Sequence, residues 1–341
     1  MSISEQQRQQ VMAQAQGALA LQVAYVGVAN HLFPALARLG EASVAELAAE
    51  AGCDVGYVAR WCDAALAFDL AEEVSADRFA ATDLGAAFDP AAPASLMPFA
   101  VQAMLSAHMA ESAASRMVSG ERPGEAVLGE RPGLLPWFGP MLEATFAPLF
   151  EHEILPQLDI YRAAEAAGGV VVDLGCGNGW YLRALARALP RLRGHGVDGF
   201  SENIDQAIRL AAGEGVADRL TFTSGDLHDL ELAEPPWVIA MNRALHHVWS
   251  ERDRLLPKLA ARLAPGGAVV VWEPAWPETR GALRDPARRP MAFQNLAEHV
   301  QGNRFLRPAE VAEAFAAVGL TPEVHLFADE REAVIVARKG G

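Results

Sequence analysis

The sequence predicts an α/β protein, a mostly parallel sheet covered by helices on both faces, preceded by a helical N-terminal region. Three observations predict it. From Val170 onward short β-branched runs alternate with helix-length segments, an alternation that forces parallel pairing. The first run, Val170–Leu174, breaks directly into Gly175-Cys176-Gly177-Asn178-Gly179, a strand entering a tight turn before a helix. The chain then closes with two extended segments, 322–327 and 333–338, around a short charged turn, which places a hairpin at one edge of the sheet.

The 341 residues give room for two domains with cores of their own, and half of them are hydrophobic. A formal net charge of −15 argues against nucleic acid or an anionic membrane surface as a partner. Small molecules remain. The three cysteines, Cys53, Cys62 and Cys176, make an odd set with no zinc-ligand spacing, and Cys176 sits in the glycine turn. The first residues, MSISEQQRQQ, lack a signal-peptide pattern, and no uninterrupted apolar run approaches the roughly 20 residues that cross a bilayer, so the expected location is cytoplasmic.

Three regions are expected: 1–90, 91–168 and 169–341. In the first, helical periodicity runs over residues 6–39, broken only by Pro34, and such an alanine-rich stretch should be buried, most simply by a second copy of the chain. Ser43-Val44-Ala45-Glu46 is a capping box opening a helix that stops at Gly52, and Asp54 caps another over 55–68. Segments 71–74 and 78–82 form a hairpin around Ser75-Ala76-Asp77. Helices followed by a hairpin outline a winged helix, yet the would-be recognition helix carries Asp54, Asp63 and Asp69 against Arg60, the wrong sign for phosphates. A dimerisation and substrate-lid module is the better reading. In the second region a Pro- and Ala-rich connector (90–98) and helices to about Met117 precede a repeated Gly-Glu-Arg-Pro-Gly at 120–124 and 129–133, two turns that make a loop. Trp137, Phe138, Met141 and Phe146 follow at helical spacing and are read as packing residues.

In the third region strands are expected at 170–174, 194–197, 220–223, 237–241 and 268–272. Gly175 and Gly177 let a ligand approach the backbone at the helix N-terminus. A dinucleotide fingerprint needs glycine at the sixth position of this turn, where Trp180 stands. Asp173, two residues before the first glycine, suits a ligand bearing an amino group. Asp198 ends the second strand and can accept both hydroxyls of a ribose; Asp226 follows the third, beside Leu227, suited to an adenine amino group and ring. Asn242 ends the fourth strand.

The stretch VVDLGCGNG resembles the first motif of class I S-adenosylmethionine-dependent methyltransferases. The resemblance implies a Rossmann-like seven-stranded sheet, S-adenosylmethionine as cofactor held by Asp173, Gly175, Gly177, Asp198, Asp226, Leu227 and Asn242, and a homodimer joined through the winged-helix region. It is similar in particular to small-molecule O-methyltransferases, in which a histidine base lies after the fourth strand. Here that place holds Leu245-His246-His247-Val248-Trp249, so His246 is the expected base, with His247 standing where those enzymes carry an acidic residue. The acceptor is expected to be a small anionic metabolite or natural-product intermediate, because residues 275–308 carry Arg280, Arg284, Arg288, Arg289, Arg304 and Arg307 against Glu278, Asp285 and Glu298. His299 lies in the same segment; with His246 it resembles the histidine pair by which some α-keto acid C-methyltransferases hold iron or zinc, the alternative chemistry. A winged-helix regulator that only senses the cofactor is the remaining alternative.

Overall fold

A computed structural model describes residues 3–226 and 234–340. The chain divides into two compact units. One runs to Met109 and takes in Pro136–Ala144; the other comprises Ala110–Leu135 and the chain from Thr145 on. The region 91–168 therefore forms no unit of its own: its segments are shared between the other two.

In the N-terminal unit helices Glu5–Ala29, Leu32–Leu39, Val44–Ala51 and Val55–Ala67 accompany a small antiparallel sheet of β1 (Ala42–Ser43), β2 (Ala71–Ser75) and β3 (Arg78–Ala81), in the order β1-β3-β2. The expected caps form. Ser43 Oγ accepts from the Glu46 backbone N–H while Glu46 Oε2 accepts from that of Ser43, and Asp54 Oδ1 accepts from Tyr57 N–H. The long N-terminal periodicity, however, breaks at His31, whose left-handed φ of 55° ends one helix and starts the next. Pro34 sits inside the first turn of the second helix, where an amide N–H has no intrahelical partner to lose. Within the chain only Ala24, Gly27 and Val28 of helix Glu5–Ala29 are buried. Gly27 is there of necessity: a Cβ would lie 2.5 Å from the Phe33 ring and 2.8 Å from that of Trp61. By length and composition this helix could also cross a membrane, contrary to the expectation from uninterrupted apolar runs, because its glutamines interrupt the runs without lowering the average far.

The C-terminal unit is built on a seven-stranded sheet: β4 (Val170–Leu174), β5 (Arg193–Asp198), β6 (Leu220–Ser224), β7 (Val238–Asn242), β8 (Ala268–Pro274), β9 (Thr321–Phe327) and β10 (Glu332–Arg338). Their order is β6-β5-β4-β7-β8-β10-β9, with β10 antiparallel to both its neighbours and the first five strands paired in parallel. All seven residues of β8 are buried, as expected for a strand covered on both faces. Its alternation feeds two cores: Val270 and Trp272 join Phe150, Trp180 and Tyr181 on one side, Val269 and Val271 join Leu255, Leu259 and Phe315 on the other. Each large side chain so buried contributes on the order of 2–3 kcal/mol. Trp180 packs edge-on against Trp272, with ring centroids 6.0 Å apart, and so belongs to this core and not to a ligand face. Of the four residues read as packing, Trp137 and Met141 join the N-terminal unit's core and Phe146 the C-terminal unit's, edge-on to Trp272; Phe138 is partly exposed.

Candidate functional site

Because β5 and β7 flank β4 on opposite sides, the direction of winding reverses at β4, and a crevice opens beyond the strand ends at that point. The glycine turn lies there. Gly175, Gly177 and Gly179 all have positive φ, at 77°, 54° and 74°. Gly179 and Gly175 are packing glycines, since a Cβ would come 2.6 Å from the Phe222 ring or 2.9 Å from Ala244. At Gly177 a Cβ would meet nothing within 4 Å, so its bare face is open for a ligand.

Around this turn stand the expected carboxylates. Asp198 Oδ2 accepts from Gly177 N–H at 2.8 Å, and Oδ1 accepts from Phe200 N–H and Asn203 Nδ2, each at 3.0 Å. A carboxylate has about four acceptor positions, so at least one remains for a hydroxyl. Asp173 is buried, and its Oδ1 accepts from Asn242 Nδ2 at 3.0 Å. Burial pushes its carboxyl up to about 7; the Asn242 hydrogen bond opposes the rise and the charge of Asp198 adds to it. The other end of the same amide, Asn242 Oδ1, is buried with no hydrogen-bond partner. Left so, such an acceptor costs about 1–3 kcal/mol. A ligand ammonium would satisfy the amide oxygen and hold Asp173 ionised, so these residues fit the amino-acid end of S-adenosylmethionine. Phe200 is half-exposed at the rim. Asp226 follows β6 on the surface, and Leu227 lies outside the described residues.

The second half of the site follows β7. Arg243 takes a left-handed φ of 56° and turns the chain into a single 3-10 turn, Leu245–His247. His246 is buried, with its ring set by Glu273 at the end of β8: Oε1 accepts from His246 N–H at 3.2 Å and Oε2 lies 2.6 Å from Nδ1. Nε2 points the other way, has no hydrogen-bond partner, and lies 3.6 Å from Glu298 Oε2. Burial pulls this imidazole down, but Glu273 and Glu298 outweigh it and push it up to about 9. Glu298 is correspondingly held below the usual carboxylate range: burial would raise it, and the His246 bond and charge lower it further. His247 stacks beside His246 with ring centroids 4.2 Å apart, and its Nδ1 lies 3.0 Å from Glu125 Oε1 and 2.9 Å from Asn303 Nδ2.

The structure does not bring His299 to His246. The ligand-type atoms that come together, all within 4.8 Å of one another, are those of His246, His247 and Glu298. Both Glu298 and His299 lie on helix Arg289–Val300, and adjacent helical residues point roughly 100° apart, so turning Glu298 inward leaves His299 exposed. The arginines of the same segment are also largely committed. Arg304 pairs with Glu310, Arg307 with Glu278, and Arg288 donates to the carbonyls of Ala275 and Glu330; Arg280, Arg284 and Arg289 stay exposed.

Sequence reasoning missed Glu273, Glu125 and Asn303, and weighed Glu298 only as a charge. For Glu273 a signal existed: an acid closing the apolar run VVVWEP is the same pattern that marked the aspartates. Glu125 and Asn303 sit in loops and carry no local signal.

Residues 171–267 match the family described as methyltransferase domain. The trans-aconitate 2-methyltransferase of Pseudomonas paraeruginosa is 32% identical over 124 residues, 36% of this chain and 41% of that protein; that of Mycobacterium tuberculosis is 35% identical over 140 residues, 40% and 48%. The chain thus spans about half the length of the curated relatives it matches. Among solved structures, human N-acetylserotonin methyltransferase in complex with its cofactor superposes with a TM-score of 0.75 at 19% identity, covering 100% of both chains. An O-methyltransferase family protein from Burkholderia thailandensis gives 0.71 at 17%, covering 100% and 99%. At such identities the likeness is one of fold, and it extends over the N-terminal unit as well.

Proposed function

We propose that this chain, whose residues 171–267 match the methyltransferase domain family, transfers a methyl group from S-adenosylmethionine to an oxygen of a small anionic metabolite, with His246 as the base. One observation carries this reading: the buried, unpartnered Nε2 of His246, with the opposite nitrogen held by Glu273. Alignment of the acceptor with the S–methyl bond supplies most of the rate. As the new O–C bond forms and the C–S bond breaks, the electron pair passes to sulfur and the proton of an acceptor hydroxyl passes to Nε2. Glu273 and Glu298 stabilise the imidazolium that results. The anionic character of the acceptor is supported by the trans-aconitate that the similar methyltransferases are named for and by exposed Arg280, Arg284 and Arg289 in the segment that carries Glu298.

A screen of carboxylates, 2-oxo acids and phenols for S-adenosylhomocysteine release tests this. Release with one class, abolished in His246→Ala while cofactor binding persists, is expected; turnover undiminished in that variant would overturn the base. The C-methylation alternative built on His246 and His299 loses its support, since His299 faces solvent, and His299→Ala is expected to leave turnover unchanged. A regulator reading duplex DNA through helix Val55–Ala67 has Asp54 and Asp63 against it, and salt-dependent duplex binding would be needed to revive it. The same proposal includes a cytoplasmic homodimer: Val11, Met12 and Leu19 on helix Glu5–Ala29 are more than half exposed, and the three cysteines are unpaired. Light scattering at twice the chain mass is expected.

A further inference from the structure

The acceptor half of the site presents a difficulty for an anionic acceptor. Glu125, Glu273 and Glu298 surround the two histidines, and half of the nearby arginines are spent on other partners. We propose that His246 Nε2, a ring nitrogen of His247 and a carboxylate oxygen of Glu298 form a binding site for a first-row divalent transition-metal ion. The ion supplies the positive charge that the local side chains do not, and its remaining positions take the acceptor's carboxylate oxygen. This rests on the methyl-transfer reading only for the identity of the acceptor, and in ion-loaded protein it replaces the proton-accepting role of His246, because a nitrogen bound to an ion has no lone pair left for a proton; the site itself rests on donor geometry.

Donors at about 2.0–2.2 Å from a common ion lie roughly 3–3.5 Å apart. His246 Nε2 and Glu298 Oε2 are already 3.6 Å apart, and the three donors fall within 4.8 Å of one another. The orphaned Nε2 belongs to a side chain more than nine-tenths buried and faces this group. Each imidazole is also backed in the manner of a metal ligand. Glu273 holds Nδ1 of His246 at 2.6 Å and Glu125 holds Nδ1 of His247 at 3.0 Å, an arrangement that places the proton on Nδ1 and the lone pair on the opposite nitrogen. Two imidazoles and one carboxylate, with positions open, suit Zn2+, Fe2+, Co2+ or Ni2+ and not the hard cations Mg2+ and Ca2+, which want oxygen ligands throughout. Asn303 Nδ2 donates to Glu298 Oε2 at 3.4 Å and ties the loop after helix Arg289–Val300 to the same donors.

The test needs neither acceptor nor turnover. The full-length protein is stripped with chelator, titrated with Co2+ and with Zn2+, and read by elemental analysis and by the ligand-field spectrum of bound Co2+. One ion per chain with a low-symmetry spectrum is expected. His247→Gln and Glu298→Gln should each abolish the spectrum, Glu125→Gln should weaken binding roughly 10–100-fold as a loss of outer support, and His299→Ala should change nothing. Each variant's affinity for S-adenosylhomocysteine serves as the check on folding. Substoichiometric loading, or a spectrum that survives both His247→Gln and Glu298→Gln in folded protein, overturns the proposal. Folded protein that binds no ion but still transfers methyl would sink the metal and leave the methyltransferase, whereas one tightly bound ion without any transfer would do the reverse.

Discussion

The two halves of the crevice are built in opposite ways. On the β4–β6 side the polar atoms come from strand ends and a glycine turn within a single stretch of sheet: Asp173 and Asp198 are buried, and their carboxylates are fixed by Asn242, Gly177 and Asn203. On the β7–β8 side His246, Glu273, Glu125 and the pair Glu298 and Asn303 arrive from four separate segments and meet as interdependent polar groups. In the proposed reaction the first half would bind one invariant molecule and can be rigid, while the second would have to suit an acceptor and is assembled from separate parts of the chain.

If that division is right, substitutions should separate cofactor affinity from turnover. The largest effect is expected from Asp198→Ala, which removes one charge-assisted hydrogen bond to the ribose, worth about 1.5–3 kcal/mol, together with the acceptor that fixes the Gly177 N–H of the glycine turn, and should weaken S-adenosylhomocysteine binding by on the order of 10²–10⁴-fold, read by calorimetry. Retained affinity would break the first half of the comparison. Next, His246→Ala should lower kcat by roughly 10²–10⁴-fold without altering that affinity; a parallel loss of both would mean that the halves are not separable.

The pH dependences should also differ in kind. Burial holds Asp173 near 7, so the empty site carries its proton in acid and must release it to the cofactor's ammonium. Cofactor affinity should therefore rise with pH and level off above about 7, a dependence lost in Asp173→Asn. For turnover, Glu273 and Glu298 overcome burial to hold His246 near 9, so kcat/KM of metal-free protein should climb until about pH 9. The sign for stability is the reverse. A histidine raised in the folded state stabilises fully below its unfolded value of about 6.5 and loses that contribution as pH rises toward 9, while Asp173, an acid raised in the folded state, costs stability progressively between its unfolded value near 4 and about 7. The smallest effect is expected from Glu125→Gln on stability. Its side chain is about half exposed, and a pair so placed contributes on the order of 0–1 kcal/mol, so Tm should hardly move even where metal affinity falls.

The same contrast explains what could be read before the fold was known. The positions of the strands follow from local runs such as VVVDL and AVVVW, and all seven lie where periodicity places them to within two residues at either end. Asp173 and Asp198 were legible because a carboxylate closing a buried strand has one place to point. That Trp180 lies in the core was not legible, since a side chain's neighbours across a sheet, here Trp272 and Phe150, leave no trace nearby in sequence. His31 broke the first helix through a left-handed residue that no propensity announces in a run of good helix formers.

Sequence alone determined the sheet, its terminal hairpin and the placing of Asp173 and Asp198 at strand ends beside the glycine turn, because each depends on residues within about a dozen positions of one another or on strand ends that topology must gather. Only the tertiary structure decided which acids face His246. Glu298 rather than His299 turns inward because one helix packs in a single rotation, and Glu273 and Glu125 lie 27 and more than a hundred residues away along the chain. Contacts of that kind are set by packing between elements, and packing is a property of the whole fold.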